Sequence, residues 1–390
     1  MAAELCKVSL WMEALEPGKP LSFLDHHIRV GNSLLGTTPE LIAKGIPDEA
    51  FKPIEGDDKK VCAKLKERNK AERKGFGSLF VKEDREIWEK LSQAAGVLDA
   101  MPDDRPEDIH QKAEAFSRAQ TSYDYQARKR LADTWCAAFV IRKYLPTFLP
   151  FGITQAYLND LAHGRSIPAE LDAEIERLTR QYQFFHWHLE FPEVFYPHCL
   201  IANGYSLGNA AGFDCVLGNP PWEQSELKEK EWFATRRPEI AVALTAAKRK
   251  RLIELLSKED VQMYNEFIEG FQFQLRLNAF LGNSGRYPLC GHGRINTYAV
   301  FAELALCSLH PAGRLGCIIP SGIATDENTK LFFQEIVSRR ILASLYSFEN
   351  ENHIFHGIHN ATKFCLLTTT GGKQLEATAN FVFFIRAQKT

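Results

Sequence analysis

Several features that would place this 390-residue chain in a special class are missing from its sequence. No two of its nine cysteines form a C-x-x-C pair, their number is odd and their spacings are scattered. This argues against a secreted disulfide framework and for free thiols in a reducing cytoplasm. No apolar run approaches the length that spans a bilayer. Glu4 and Lys7 interrupt the N-terminus where a signal peptide would continue with apolar residues.

The chain also has little net charge. Its formal charge of -2 does not indicate a nucleic-acid-binding protein, so any DNA-binding surface has to be a local patch. The densest basic cluster, Lys248-Arg249-Lys250-Arg251, is a candidate for phosphate contacts. The alternative is a solvated helix face, which is the usual role of charge runs on helices.

What the sequence does contain is an alternation of strand and helix patterns between residues 213 and 350. Short apolar runs at Phe213–Gly218 and Arg314–Pro320 predict buried strands, and residues 297–309 predict a helix between them. This order is typical of an α/β layer with a mainly parallel sheet.

Charge density and the pattern of apolar residues divide the sequence into three regions. Residues 1–54 contain a short amphipathic helix and a predicted strand at Leu21–Val30. Residues 55–183 have dense charge and successive helical patterns without a repeat, which predicts a helical insertion. Residues 184–390 return to the α/β pattern and hold the chemistry-bearing motif.

That motif is Asn219-Pro220-Pro221-Trp222, directly after a predicted strand. Ligands of open α/β sheets bind at the carboxyl ends of strands. An Asn amide oxygen and a proline carbonyl can together accept both hydrogens of an exocyclic amine, and proline fixes the backbone that presents that carbonyl. Trp222 offers a flat face on which a base can stack. The alternative interpretation is a rigid loop capped by an aromatic side chain, and the strand before the motif favours the functional one.

The segment Asp214–Trp222 resembles the catalytic motif of DNA amino-methyltransferases that use S-adenosylmethionine. Glu4–Trp11, Leu24–Leu34 and Phe191–Phe195 resemble further segments of the large adenine-specific enzymes of type II restriction-modification systems. The resemblance covers most of the chain. It implies a Rossmann-like methyltransferase sheet, S-adenosylmethionine as the methyl donor, and double-stranded DNA with a flipped adenine as the substrate.

The resemblance also implies roles for individual residues. Asn219 and Pro220 would accept hydrogen bonds from the target amine, and Trp222 would stack on the flipped base. Phe355 falls where the family has an aromatic side chain on the other side of the base.

Two further segments carry over to the donor site and the pocket wall. Asn32, after Gly31, falls where the family commonly has an Asp that contacts the donor's adenine. Asn296 and Tyr298 fall in a segment that lines the pocket.

The family's glycine-rich donor turn has no counterpart in this sequence. The two G-x-G patterns, Gly75-Phe76-Gly77 and Gly291-His292-Gly293, do not follow apolar strands, and no acidic residue follows at the required distance. In the family the first strand lies between the second and the fourth. We therefore expect that this chain begins after the family's second strand and leaves strand edges unpaired. Either another polypeptide pairs with these edges, or the chain has weak or no activity. We likewise expect it to end before a full target-recognition domain.

Two other functions stay open at this point. One is methyl transfer to an RNA base or a protein glutamine, and the other is a non-catalytic DNA-binding subunit or remnant. We expect no metal site, since His353, His356 and His359 lie three apart without a C-x-x-C pair or a carboxylate set to complete them.

Overall fold

The structure is a computed structural model that describes residues 1–74, 84–144, 152–196, 211–356, 359–373 and 375–386. The first G-x-G pattern lies outside the described residues. The helices of the N-terminal half are α1 (Ala2–Glu13), α2 (Pro39–Ala43), α3 (Lys59–Lys74), α4 (Asp84–Ala100), α5 (Pro106–Thr121), α6 (Tyr123–Val140), α7 (Gln155–Ala162), α8 (Ala169–Tyr182), α9 (Trp187–Glu190) and α10 (Pro192–Phe195).

The C-terminal half contains the strands. Its helices are α11 (Glu229–Ala234), α12 (Pro238–Ala241), α13 (Ala246–Glu259), α14 (Val261–Asn283), α15 (Thr297–Cys307), α16 (Gly322–Thr325) and α17 (Lys330–Ser338). Its strands are β1 (Phe213–Gly218), β2 (Leu309–Pro320), β3 (Leu342–Glu349), β4 (Lys363–Thr370) and β5 (Asn380–Ile385). Short 3₁₀ helices cover Asp48–Phe51, Glu327–Thr329 and Asn350–Asn352.

The five strands form one sheet in the order β1-β2-β4-β3-β5. β1 pairs with β2, and β3 with β5, in parallel, whereas β4 is antiparallel to both β2 and β3. Four strands therefore run in one direction and β4 runs against them, which confirms the predicted α/β fold with a mainly parallel sheet. Gly218 pairs with Cys317, so the carboxyl ends of β1 and β2 lie side by side.

β1 differs from the expectation of a buried strand. Leu217 is 79% exposed and Cys215 is exposed, although the run is apolar. The reason is that β1 pairs with β2 alone among the described strands, so its other edge is open. An apolar pattern shows which side chains are suited to burial. The strand is buried only where a further element also covers its second edge.

The successive helical patterns predicted between residues 55 and 183 are confirmed by α4, α5, α6 and α8, and the structure adds α3 and α7 in the same region. α6 is buried along its C-terminal half because it passes through the core, where Trp135 and Phe139 pack against Phe280 of α14 at ring-centroid distances of 6.3 and 5.4 Å. Helices α3, α4, α6, α7 and α8 share one hydrophobic cluster with the sheet. The boundaries of the three sequence regions stay a prediction.

Polar groups buried beside α14 are tied by an ion pair. Arg276 and Asp57 meet at 2.8 Å with their side chains 5% and 0% exposed, and Arg276 also donates to the carbonyl of Ile141. Lys143 lies in the same place and is fully buried. Burial lowers the pKa of its ammonium to about 8, against the nearby charge of Asp57, which raises it.

The strand predicted at Leu21–Val30 is wrong. The amides of His27 and Ile28 bond to the carbonyl of Leu24, so the chain turns there instead of extending. Shortly after this segment, Asn32 forms an isolated parallel bridge with Phe184. An alternating pattern forms a strand only where a neighbouring strand accepts its hydrogen bonds.

The segment around Trp187 forms the short helix α9, and a histidine lies on either side of Trp187. His186 is buried and hydrogen-bonded. Its Nε2 lies 2.8 Å from Asp133, and its Nδ1 accepts from the amide of Thr37. His188 is buried too, but its Nδ1 has no partner. No helix in the described part of the chain combines the length and apolarity needed to cross a membrane.

Candidate active site

The Asn219–Trp222 loop leaves the sheet at the carboxyl end of β1. This is the sheet edge at which ligands of parallel α/β folds bind. Asn219 and Pro221 are exposed, while Pro220 and Trp222 are half-buried. Because β2 ends beside β1, the loop lies next to Ile318 of the neighbouring strand. The predicted catalytic residues are thus together at one accessible site.

Trp222 fixes the orientation of Asn219. Its indole Nε1 donates to Oδ1 of Asn219 at 3.0 Å and to the carbonyl of Ile318 at 3.3 Å. An amide oxygen has two lone pairs, so Oδ1 of Asn219 can accept one more hydrogen while it holds the indole.

The aromatic residues form a cluster beside this loop. Trp222 and Phe355 contact each other at a ring-centroid distance of 5.5 Å in a T-shaped arrangement. Phe364 of β4 lies 5.8 Å from Trp222 and 5.0 Å from Phe355, and Phe348 of β3 stacks on it. The structure therefore brings the two predicted base-stacking rings together. Since the rings touch, a base enters between them only if they separate.

Asn350, which sequence reasoning missed, holds Phe355 in place. Its Oδ1 accepts from the amide of Phe355 at 2.9 Å, and its Nδ2 donates to the carbonyl of Phe355 at 3.1 Å. The side chain of Asn350 is fully buried, where such a pair of bonds satisfies it. An asparagine directly after a strand is a turn signal, but its partner five residues on cannot be read from the pattern.

Thr297, the first residue of α15, lies in the predicted pocket-lining segment, but its contacts with the loop were not predicted. Its hydroxyl lies 2.8 Å from the carbonyl of Pro221 and 2.7 Å from that of Glu223, and its amide donates to Glu223 at 3.1 Å. Gln224 forms an antiparallel bridge with Asn296. The start of α15 therefore clamps the loop that follows the prolines.

The predicted pocket residues flank this clamp. Asn296 is the N-cap residue of α15 and half-buried. Tyr298 is 4% exposed, and burial together with the charge of Asp326 raises the pKa of its hydroxyl. Its hydroxyl lies close to Gly322, where a Cβ atom would come within 3.0 Å of it. Tyr298 thus packs against the segment after β2.

A cavity of about 450 Å³ runs along the open edge of β1 up to the loop. Its walls are mostly apolar, and Ser33, Asn219 and Pro220 are among the residues that line it. Its lining residues are Ser33, Trp187, Phe213, Cys215, Val216, Leu217, Gly218, Asn219, Pro220, Phe301, Leu304, Ala305, Ser308 and Cys317. Burial raises the pKa of the Cys317 thiol to about 11, so this cysteine stays protonated and acts as an apolar wall.

The two predicted donor-binding residues lie beside this cavity and are not part of its wall. The amide of Asn32 donates to the carbonyl of Gln183 at 2.8 Å, and its Oδ1 is 3.4 Å from the amide of Leu34. Gly31 packs so closely on Phe185 that a Cβ atom would lie 2.6 Å from the ring. The structure therefore brings the segment they belong to, through Ser33, to the catalytic loop.

The basic cluster is on α13, which packs with α11, α12 and α14 around a small hydrophobic cluster of its own. Lys248, Lys250 and Arg251 are exposed. Arg249 is different, because its Nε lies 2.5 Å from Glu229 and its side chain is 13% exposed. Three of the four predicted DNA-contacting residues thus face solvent, and one belongs to an ion pair.

Comparison with known families gives one match. The model of the Eco57I restriction-modification methylase family matches residues 1–282, which include the Asn219–Trp222 loop, so the chain belongs to this family. Comparison with curated proteins finds no match.

Two of the solved structures that match this chain show low sequence identity and low TM-scores to it. A candidate class I S-adenosylmethionine-dependent methyltransferase from Listeria monocytogenes is 13% identical, with a TM-score of 0.22 over 27% of this chain and 32% of that one. The complex of DrdV with DNA, solved by cryo-electron microscopy, is 12% identical, with a TM-score of 0.23 over 46% of this chain and 15% of that one. This chain therefore matches a third or less of the length of either structure.

Proposed function

Because the chain belongs to the Eco57I restriction-modification methylase family, we propose that it serves the transfer of a methyl group from S-adenosylmethionine to the exocyclic amine of adenine in DNA. The observation that carries this proposal is the geometry of the Asn219–Trp222 loop. An oriented amide oxygen, a fixed proline backbone and an aromatic face meet at the carboxyl end of β1. Binding and activating the amine of a planar base uses all three directly.

The loop residues and Phe355 have different roles in binding the base. Oδ1 of Asn219 and the carbonyl of Pro220 accept the two hydrogens of the amine, which turns the nitrogen lone pair out of the base plane. Trp222 and Phe355 open and hold the flipped base between their rings. Catalysis then consists of positioning. The new bond from nitrogen to the methyl carbon forms as the bond from that carbon to the sulfonium breaks, S-adenosylhomocysteine leaves as a neutral thioether, and the methylated nitrogen gives up one proton to water.

The cavity beside β1 suits the methyl donor in size and position. Ligand pockets of about 300–1,000 Å³ bury molecules of this class, and the cavity of about 450 Å³ ends at Asn219 and Pro220. S-adenosylmethionine supplies an electrophilic methyl group on its sulfonium. The apolar side chains of Phe213, Leu217 and Phe301 would enclose it, and the Gly31–Ser33 segment would approach from the opposite side.

The open edge of β1 supports a further part of this proposal, a polypeptide segment that pairs with it. Leu217 and Cys215 are exposed on a strand whose backbone groups on one side have no strand partner among the described residues. Unpaired backbone groups and exposed apolar side chains at a strand edge favour the addition of another strand. Such a segment would also close the cavity, so it would act together with the donor site.

The test is methyl transfer from labelled S-adenosylmethionine to unmethylated duplex DNA, followed by mass spectrometry of the nucleosides. We expect N6-methyladenine from the unchanged protein and a loss of at least about a hundredfold in Asn219→Ala, since this removes an acceptor used in the transition state. Asn380→Ala is the matched control. Asn380 is exposed on β5, at the opposite edge of the sheet, and its variant should keep full activity.

Other outcomes identify the alternatives. If the labelled methyl group were found in RNA bases or in protein glutamine and not in DNA, the substrate would be one of these and not adenine in DNA. DNA binding with neither methyl transfer nor donor binding would identify a non-catalytic subunit. Equal activity of Asn219→Ala and Asn380→Ala would remove the loop from the mechanism.

A further inference from the structure

Two adjacent histidines and an aspartate meet at a place remote from the catalytic loop in sequence. His26 and His27 lie in the turn between α1 and the Gly31–Ser33 segment, and Asp99 lies in the last turn of α4. His26 is buried, with its side chain 7% exposed, while His27 and Asp99 are 57% and 45% exposed. The group therefore has one buried member and an open side toward solvent.

The buried histidine has unmet hydrogen-bonding capacity. Among the residues that the structure describes, neither Nδ1 nor Nε2 of His26 has a hydrogen-bond partner, although both atoms are inaccessible to water. Its ring stacks on Phe23 and lies 3.8 Å from the ring of His27, centroid to centroid. Buried polar atoms without partners are rare in folded proteins, and an unseen ion is one of the few explanations for them.

The spacing of the three groups fits a metal ion better than an ion pair. Oδ1 of Asp99 lies 3.3 Å from Nε2 of His26 and 3.6 Å from Nε2 of His27. These distances are long for a charge-assisted hydrogen bond, which is usually about 2.7–2.9 Å. They are close to the edge of a tetrahedron around Zn²⁺, about 3.3 Å for metal–ligand bonds of about 2.0–2.1 Å. One donor atom from each of the three residues lies within 4.8 Å of the others.

Charged groups of both signs surround the three residues. Arg29 and Lys112 are the cations that act on His26, and they oppose a metal ion. Arg29 is balanced by Glu190 at 3.6 Å. Asp99 sits at the C-terminal end of α4, where the helix dipole favours a cation, and Glu193 of α10 lies near enough to interact with Asp99. The acidic groups and the helix end thus offset the remaining charge of Lys112.

We propose that His26, His27 and Asp99 bind a divalent transition-metal ion, Zn²⁺ by the best fit of ligands and spacing, with water in the fourth position. Two imidazoles and one carboxylate are a ligand set that zinc proteins use. The ion ties the turn that leads to Gly31 and Asn32 to α4 of the helical region. Its role is to fix the position of the segment that borders the cavity. No local sequence pattern indicates this site, because Asp99 is far from the histidines along the chain.

The test uses tag-free protein, stripped with a chelator and titrated with Zn²⁺ by calorimetry, and with Co²⁺ by absorption. We expect one equivalent per chain, a visible absorption band of four-coordinate Co²⁺, and a higher melting temperature with the metal than without it. His27→Ala and Asp99→Asn should each weaken binding by at least about tenfold and lose the band. Both residues are partly exposed, so these variants keep the fold.

His110→Ala is the matched control. His110 faces Glu114 at 3.4 Å on α5 as an exposed histidine–carboxylate pair without a third ligand, so its loss should leave the site unchanged. Absence of a stoichiometric metal, or the same affinity in all three variants, would overturn the proposal. Tight binding of Mn²⁺ with no binding of Zn²⁺ would overturn the assignment of the ion.

Discussion

The indole Nε1 of Trp222 donates a hydrogen bond to Oδ1 of Asn219 at 3.0 Å, within the loop at the end of β1. The bond gives Trp222 a function besides stacking, since it fixes which face of the Asn219 amide is presented to a ligand. A ring without the N–H can stack equally well but leaves the amide free to rotate. Stacking and orientation can therefore be separated by one substitution.

Trp222→Phe should lower kcat by about fivefold to tenfold and change the KM for DNA little. This corresponds to the loss of a hydrogen bond worth about 1 kcal/mol in the oriented state. Trp222→Ala removes the ring as well and should also raise KM. Steady-state methyl transfer measures both constants. Trp232→Phe is the control, because Trp232 lies on α11 with its ring against Arg236. Equal kcat in Trp222→Phe and the unchanged protein would rule out the orienting role.

Thr297→Val should loosen the loop while keeping its shape. The substitution removes a hydroxyl that lies within 2.8 Å of two loop carbonyls and replaces it with a methyl group of similar size. We expect the free energy of unfolding to fall by about 1 kcal/mol and methyl transfer to fall with it. Urea denaturation and the transfer assay give the two values. Thr325→Val, whose exposed hydroxyl makes one long contact of 3.5 Å with Ser321, should change neither.

The sequence predicted the sheet better than the packing around it. Asn219–Trp222 and the apolar runs of β1 and β2 carry their information locally, so both strands and the position of the loop after β1 were predictable. The exposure of Leu217 was not, because burial depends on what pairs with the second edge of β1. The failed strand at Leu21–Val30 has the same cause, and Asn350 and Thr297 act through contacts whose partners no local pattern specifies.

Leu217→Lys should reduce self-association of the protein without destabilising it. Leu217 is 79% exposed at an open strand edge, so a charge there costs the fold at most about 0.5 kcal/mol and opposes edge-to-edge pairing. Light scattering at a fixed protein concentration measures the change. Leu244→Lys, at a 93% exposed position before α13, controls for loss of any exposed apolar side chain. The same reduction in both variants would show that self-association does not use the edge of β1.

Lys143→Met should stabilise the protein at pH 7 by a few kcal/mol. Burial lowers the pKa of Lys143 from 10.5 to about 8, so folding disfavours the charged form. Between about pH 8 and 10.5 the unfolded chain binds a proton that the folded chain has lost, and this contribution to stability rises with pH. The variant should lack that rise. Urea denaturation between pH 7 and 10 tests this.

Lys64→Met, at an exposed position of α3, is the control for Lys143→Met and should keep the pH dependence of the unchanged protein. The carbonyl of Ile141, which Lys143 Nζ contacts at 3.3 Å, still accepts from Arg276 in the variant. If Lys143→Met were less stable than the unchanged protein at pH 7, the surroundings would stabilise the charged ammonium. That result would contradict the lowered pKa of Lys143.

Lys248, Lys250 and Arg251 should contribute to DNA binding, whereas Arg249 should contribute to folding. The three exposed residues, changed together to Gln, should weaken duplex binding. The slope of log K against log salt should also become shallower, by up to about 0.9 for each phosphate that the variant no longer neutralises. Fluorescence anisotropy between about 50 and about 200 mM salt measures the slope.

Arg249→Gln should leave that slope unchanged and lower the melting temperature, because it breaks a 2.5 Å ion pair with Glu229 in which the arginine side chain is 13% exposed. It is therefore the matched comparison for the three exposed residues, since it removes one positive charge from the same helix. If Arg249→Gln reduced the slope as much as the loss of a single exposed lysine does, the ion pair with Glu229 would have to open on DNA, and α13 would bind through all four residues.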